Sequence, residues 1–562
     1  MKRTFYFLFI ICCIFPVFGS TKIDFKLNQI GKEIDSNVSI INVKNYGAKG
    51  DGIHDDGPAF QNIINSLREN QTLYIPKGKY LIRQTLQFNK SNVTVRGDGE
   101  DSKLIYKWGK FSRTKKLLYG FHINSAKNVL FSDFSINGGS SNFNEIIIDD
   151  WKDETWDVDG AYNLFLIQPK KTNSVNGLTF KNLVLSNSFF DGIHSYARPA
   201  DPLPKNTSYN IKIINCSFFD IGSNAVGLGL VNGLLVEESK FHNIGLMRMT
   251  IQKNGGGMAV DASGGAENVI IRYNYVDKAA AGFKCETHEN NSGRYLPSKN
   301  VTISNNIIKN LFQGEKYEIF YGIKANGVNV IVENNTIESF YHGILVGINA
   351  KNVFINNNSI STTGKGAAGI RLDMNQGGHI VSNNKILFSD GQGILVSDAS
   401  DITLSNNIIL NSMKENIRMA GGKNVKIYNN ICANAGTSNI SITPVEGLSI
   451  ENVDLKNNYC YDFNGAIKPL DKRILIDNSK KVISNGNKFQ KQELDNNLHE
   501  RATSENNSNL YFSLTKPSKG NFQKGQVLLK RRLKSSLNTD KIIGWECIES
   551  GNPGVWKEIS VN

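Results

Sequence analysis

From about residue 178 the chain repeats one order of apolar and polar positions. It reads apolar-x-apolar-x-Asn-Asn-x-apolar, then a polar turn, then Gly-apolar-x-apolar. The clearest copy is Val301-Thr302-Ile303-Ser304-Asn305-Asn306. Others run Val330 to Asn335, Val353 to Asn358, Ile380 to Asn384, Ile402 to Asn407, Val425 to Asn430 and Val453 to Asn458. The first Asn of each pair falls at 305, 334, 357, 383, 406, 429 and 457, in steps of 23 to 29 residues. Weaker copies run Ile211 to Asn215 and Val269 to Asn274. Alternation with period two in Val- and Ile-rich runs predicts short strands, not helices. So short a unit cannot bury its own apolar face, and the units must stack as coils of a solenoid. Strands of successive coils then lie parallel, roughly 4.8 Å apart. The asparagines are expected to be structural, each amide finding partners in the next coil. Three residues after the first Asn stands a core column, Ile308, Ile337, Ile360, Ile386, Ile409, Cys432 and Cys460. The last two are expected to be buried thiols, with a disulfide rung as the alternative.

The two ends read differently. Met1-Lys2-Arg3, the apolar run Thr4 to Phe18 and the small residues Gly19-Ser20 predict a secretory signal peptide over residues 1–20. The protein is therefore expected to be secreted or periplasmic, with no membrane contact after cleavage. Further on, Asp55 or Asp56 can cap a helix with Pro58 in its first turn. Its apolar face of Ala59, Phe60, Ile63, Ile64 and Leu67 would plug the end of the solenoid. After about residue 490 the repeat fades. Residues 491–562 are expected to form a polar linker and a small C-terminal β module, with a basic cluster at Lys530, Arg531, Arg532 and Lys534.

Residues 43 to 64 include Tyr46-Gly47-Ala48-Lys49-Gly50-Asp51-Gly52 and Asp55-Asp56-Gly57-Pro58-Ala59-Phe60-Gln61. This resembles the N-terminal signature of the pectate-lyase-like superfamily, and Leu73 to Tyr80 resembles that family's next strand. With the coils, the resemblance covers most of residues 41 to 490. It implies an all-β right-handed parallel β-helix over residues 21–490, with an N-terminal capping helix. It does not choose among lyases, glycoside hydrolases, uronate epimerases and phage tailspikes. Helix capping accounts for the Asp55-Asp56 pair without a catalytic role.

The formal charge is +13, and loss of Lys2 and Arg3 with the signal leaves +11. A basic exported protein points to an anionic partner. Acidic polysaccharide is the expected one, rather than nucleic acid. Five cysteines remain after the signal at irregular spacing, which is not a disulfide scaffold, and nothing has zinc spacing.

Chemistry must be sought on one face of the coils. The Gly-led quintets are Gly192 to Tyr196, Gly257 to Asp261, Gly282 to Glu286, Gly322 to Asn326, Gly343 to Gly347, Gly369 to Asp373 and Gly393 to Ser397. Their third and fifth residues should face outward. That face carries His194, Tyr196, Asp261, Lys284, Glu286, Lys324, Asn326, Arg371 and Asp373, while later coils show mostly Leu, Ser and Gly apart from Arg418. Lys284 and Lys324 on adjacent coils, about 5 Å apart at Cα, should lower one another's pKa and make one a general base. Cleavage of a uronate by β-elimination needs such a base and cations to neutralise the carboxylate. Arg371 would add charge, and Tyr196 or His194 would protonate the leaving oxygen. Asp261 and Glu286 could hold Ca²⁺, which lyases of the resembled superfamily often use. Asn326, Asp373, His288, Trp151 and Trp156 are expected to bind substrate. Arg294, in the loop His288 to Lys299, is another candidate. The expected function is a polysaccharide lyase acting on an acidic glycan. The alternatives are a glycoside hydrolase using Asp261 and Glu286 and a tailspike-like glycan-binding protein.

Overall fold

The structure, a computed structural model, describes residues 39–107, 119–139, 162–195, 206–245, 257–289, 295–311, 321–339, 341–374, 376–461, 474–476 and 480–490. Beyond these it describes the C-terminal strands and the residues next to them. Among the described residues three parallel sheets of 16, 16 and 14 strands run the length of the coils. Each coil between the first and the last described supplies one strand to each sheet, so the hydrogen-bonded neighbour of a strand is its counterpart one coil on. One turn of the solenoid illustrates the plan. Lys299–Ser304 lies in the first sheet, Ile307–Lys309 in the second and Tyr321–Asn326 in the third. Val328–Glu333 then returns to the first sheet. The expected fold is thus the observed one, a parallel β-helix solenoid.

The core fills the inside of the coils. In the first sheet Val301 and Ile303 point in and are buried, as are Val330 and Val332 above them. Early coils use phenylalanine instead. Phe121 stacks on Phe165 at 5.0 Å and Phe131 on Phe180 at 5.4 Å between ring centroids. The helix Gly57–Ser66 buries Phe60, Ile63 and Ile64 into the same core, with Leu67 just beyond it, and Phe60 meets Tyr80 edge-on at 5.4 Å.

The Asn-Asn pairs sit at the corner between the first and second sheets and divide their work. The first residue of each pair, such as Asn305, Asn334 and Asn357, adopts a left-handed backbone (φ 53–57°) that turns the chain, a conformation Asn tolerates better than most residues. The second is buried and builds the ladder. Asn358 Nδ2 donates to Asn384 Oδ1 at 3.0 Å and to the Val332 carbonyl at 2.9 Å, and its backbone N–H donates to Asn384 Oδ1 at 3.0 Å. The same pattern runs from Asn274 through Asn306, Asn335, Asn384, Asn407, Asn430 and Asn458 to Asn487. Cys432 and Cys460 pair in register in the core column as free, buried thiols, so the disulfide alternative is not taken. Burial pushes the Cys432 thiol up.

Two details correct the reading of the N-terminal signature. Asp56 occupies the N-cap position, but its side chain does not cap the helix. Its buried carboxylate instead accepts N–H bonds from Lys49 at 2.6 Å and Gly50 at 3.1 Å, tying down the preceding Gly-rich turn. Asp55 accepts the N–H of Gly57 at 3.0 Å. The carboxylate pair is structural, as expected, by a different set of bonds. At the other end, strands from Glu500–Arg501 to Val555–Ser560 form a five-stranded mixed sheet. The basic cluster expected there lies outside the described residues except for Lys530, whose side chain is not described.

No helix among the described residues is long and apolar enough to cross a membrane.

Candidate functional site

The third sheet carries the chemistry. Along its strands inward residues are buried and the intervening ones are half-exposed. Phe283 and Cys285 are buried, while Lys284 and Glu286 face out. The glycine opening these strands is enforced by packing. A Cβ on Gly322 would fall 2.4 Å from Ile337 Cγ2 and 2.7 Å from the Gly343 carbonyl oxygen.

Strand register orders the outward residues. His194 pairs with Gly227, Gly227 with Asp261, Asp261 with Lys284, and Lys284 with Lys324. Glu286 pairs with Asn326. The strand Met258–Asp261 is shifted by two residues from the Gly-led alignment, so Asp261 stands level with Lys284 and not with Glu286. The reason is local: Ala259 and not Gly257 fills the small-residue place, and Met258 accordingly pairs with Ala281.

Five of the expected residues converge. Lys284 Nζ lies 2.8 Å from Glu286 Oε2 and 3.6 Å from Asp261 Oδ2. Lys324 Nζ contacts the other oxygen of Glu286. His288, on a short hairpin strand that leaves the third sheet just after Glu286, places Nε2 3.9 Å from Glu286 Oε2. Ser263 donates to Asp261. The hairpin packs close: a Cβ on Gly264, itself at φ +63°, would lie 3.1 Å from His288 Nδ1. Below the cluster the ring of Tyr321, 1% exposed, lies 5.8 Å from Lys324 Nζ.

The electrostatics overturn one expectation. Burial alone would lower the Lys284 pKa, but the carboxylates of Asp261 and Glu286 outweigh it and hold the ammonium well above the ordinary lysine range. The lysines are not two repelling charges, because Glu286 sits between them. Lys284 is therefore not the poised base that the spacing suggested. Burial would raise Glu286, yet Lys284 and Lys324 prevail and draw it down to about 2. His288 goes down, through burial and the nearby Lys284, which outweigh the carboxylates. Its imidazole is thus neutral where an ordinary histidine would begin to protonate.

The remaining residues flank this centre. His194 is two strand spacings from Asp261, roughly 10 Å, with Gly227 leaving a gap between. This is too far to protonate a bond cut beside Lys284. Its Nδ1 lies 2.7 Å from Asp191 Oδ2, and Asp191 also accepts the Asn224 N–H at 2.7 Å. Asn326 is buried, its Oδ1 taken by the Gly347 N–H at 2.5 Å, and it is not a surface contact for sugar. Arg371 pairs through Nε with Asp373 Oδ2 at 2.6 Å, and its Nη1 lies 3.4 Å from His342 Nε2. Burial, then Arg371, lowers the His342 pKa to about 4. Tyr196, Trp151, Trp156 and Arg294 lie outside the described residues.

The donor set does not fit calcium. That ion takes about six to eight oxygens, whereas Asp261 and Glu286 are spent on two ammonium groups. Among the described residues no three acidic, His or Cys side chains form a metal cluster.

Asp191, Tyr321 and His342 are not among the residues expected from the sequence. Tyr321 and His342 pair in register immediately before the glycines of their strands. Extending each quintet one residue upstream would have found both. Asp191 stands immediately before Gly192, within reach of the same extension.

Comparison with known proteins completes this picture. Residues 40–161 match a family model described as rhamnogalacturonase A/epimerase, pectate lyase-like. Residues 203–374, 283–430 and 368–514 match the right-handed β-helix region model. The chain belongs to the pectate-lyase-like, right-handed β-helix family. Among curated relatives, it is 24% identical over 272 residues to the preneck appendage protein of Bacillus phage PZA, covering 47% of this chain and 29% of that one. It is 23% identical over 341 residues to plasmin and fibronectin-binding protein A of Streptococcus pneumoniae, covering 56% and 41%. The chain thus spans less than half the length of these relatives. Among solved structures, the Yersinia enterocolitica family 28 exopolygalacturonase aligns at 14% identity with a TM-score of 0.41. That alignment covers 79% of this chain and 78% of that one.

Proposed function

We propose that the protein is an exported enzyme that cleaves an acidic polysaccharide by β-elimination on its third sheet. The observation that carries this reading is the clamp of Lys284 and Lys324 on Glu286. Two half-buried cations already hold one carboxylate, so a uronate carboxylate can take its place by exchange. Charge-assisted bonds of this kind are strong and oriented. Held protonated, Lys284 stabilises the negative charge that grows on the substrate carboxylate as the α proton leaves. His288, kept neutral beside the clamp, accepts that proton. The electron pair forms the new C=C bond, the glycosidic C–O bond breaks, and solvent protonates the departing oxygen. The cluster is reachable from water, with the His288 side chain 47% exposed. The basic start and apolar run of residues 1–20 support action outside the cytoplasm.

A hydrolase is the second reading, because Asp261 and Glu286 share one ammonium and a glycosidase works with two neighbouring carboxyls. Against it, Glu286 is held ionised and cannot serve as the acid. The test is incubation with polyuronides and glycosaminoglycans, read by ultraviolet absorbance and by reducing ends. Absorbance from a conjugated unsaturated uronate, lost in His288→Ala, supports the lyase. New reducing ends without absorbance replace it with the hydrolase. Neither signal across the panel leaves a binding protein.

A further inference from the structure

Beyond the clamp, the outward row of the third sheet follows a rule of its own. Lys324 pairs in register with Leu345, Leu345 with Arg371, Arg371 with Leu395, and Leu395 with Arg418. Cation and leucine alternate coil by coil, and all five residues are half-buried. The cations therefore recur every second strand, roughly 9.6 Å apart.

Each cation is held in place. Lys324 contacts Glu286, and Arg371 is braced by Asp373 through Nε. Among the described residues Arg418 is braced by hydroxyls alone. Its Nη1 donates to Ser441 Oγ at 2.7 Å and to Thr443 Oγ1, and the two hydroxyls lie 3.0 Å apart. Among the described residues no carboxylate forms an ion pair with Arg418. Its charge faces outward, oriented by the hydroxyls and uncompensated by any carboxylate among the described residues. The leucines between offer the opposite chemistry. An anion laid on Leu345 or Leu395 would lose water and gain no partner, which is costly.

We propose that this row is a binding track for a glycan whose acidic sugar recurs at every second residue. Two strand spacings match one disaccharide of an extended pyranose chain. Uronates would meet Lys324, Arg371 and Arg418, and the neutral sugars between would lay their apolar faces on Leu345 and Leu395. The substrate class is then an alternating uronate–hexosamine polymer and not a homopolyuronate. The inference rests on the proposed function for its choice of face, but concerns recognition and not cleavage.

The test is equilibrium binding to the full chain carrying His288→Ala, which keeps the probe intact. Chondroitin and hyaluronan oligosaccharides are compared with oligogalacturonates of equal length. A homopolyuronate carries twice the charge, so simple electrostatics favours it. The track predicts the reverse, with at least one alternating oligosaccharide bound about 10-fold more tightly. Arg418→Gln should weaken a chain long enough to span from Lys324 by roughly 10-fold and leave a disaccharide unaffected. Leu395→Lys should raise affinity for the oligogalacturonate. Oligogalacturonate binding as tightly as the best alternating chain, or indifference of long chains to Arg418→Gln in a folded variant, overturns the track. Track-dependent binding by a parent protein that cleaves none of these glycans would sink the lyase reading and leave the track standing.

Discussion

The buried asparagine column and the ionic cluster of the third sheet are both polar features made by stacking one coil on the next. They differ in what is left over. In the column each amide gives its N–H groups to the next coil's Oδ1 and the previous coil's carbonyl, and takes two in return. It is neutral and has no capacity for a ligand. In the cluster, Glu286 is shared by two lysines, Asp261 faces Lys284 at a loose 3.6 Å, and His288 stands at 3.9 Å. Polar groups stacked in a solenoid therefore mark a site only where their pairing is ionic, exchangeable and open to water. Repetition by itself marks scaffold.

The largest expected effect falls on the open side of that comparison. Lys284→Met should reduce kcat/KM on a cleaved glycan by on the order of 10²–10³, the cost of removing a charge stabiliser of the transition state. Thermal stability should fall only in part, because Glu286 keeps Lys324 while Asp261 loses its ammonium partner, and breaking one side of a partly buried pair is destabilising. Rates and melting curves on the same preparation check both halves. The reverse pattern would make the lysine a structural strut.

Asn384→Ala should do the opposite. It strips Asn358 of the acceptor for two N–H bonds and leaves the Ile355 carbonyl without its donor. Buried groups left unsatisfied cost about 1–3 kcal/mol each, so denaturant unfolding should show a loss of about 3 kcal/mol. Activity at a temperature where the chain stays folded should be within about twofold of the parent, since the substitution removes no group from the cluster.

A smaller effect sharpens the role of His288. Its pKa is lowered, so its neutral form persists below the ordinary histidine value. The acid limb of kcat/KM should therefore fall below about pH 6.5. Lys324→Gln removes one of the cations that lower it, and the limb should move up in pH. A limb that does not respond belongs to another group.

How much of this was legible in the chain follows the same division. Alternation and the Asn pairs announce the coils because every coil repeats them. The outward positions of Lys284, Glu286, Lys324 and Arg371 follow from period two alone. What repetition does not encode was misread. Met258–Asp261 slips by two residues because Ala259 replaces the usual glycine, so the level of Asp261 was wrong. The lysine spacing suggested repulsion because the rotamer that brings Glu286 between the two ammonium groups is invisible in a sequence. The Asp191–His194 pair depends on a turn whose geometry no periodicity specifies.

The smallest effect separates the two features by pH. The lysines hold Glu286 at about 2 in the folded chain, against about 4.3 for an ordinary glutamate. A depressed carboxylate stabilises the fold above its unfolded pKa, and that contribution fades as pH falls toward the folded value. Glu286→Gln should therefore be less stable than the parent at pH 6, and the gap should close between about pH 4.5 and 2. The asparagine column does not titrate, so the deficit of Asn384→Ala should be constant over the same range. Melting temperatures of the three proteins across that window measure the difference directly. A Glu286→Gln deficit independent of pH would mean that the carboxylate acts by packing, and that the clamp is as closed a structure as the ladder.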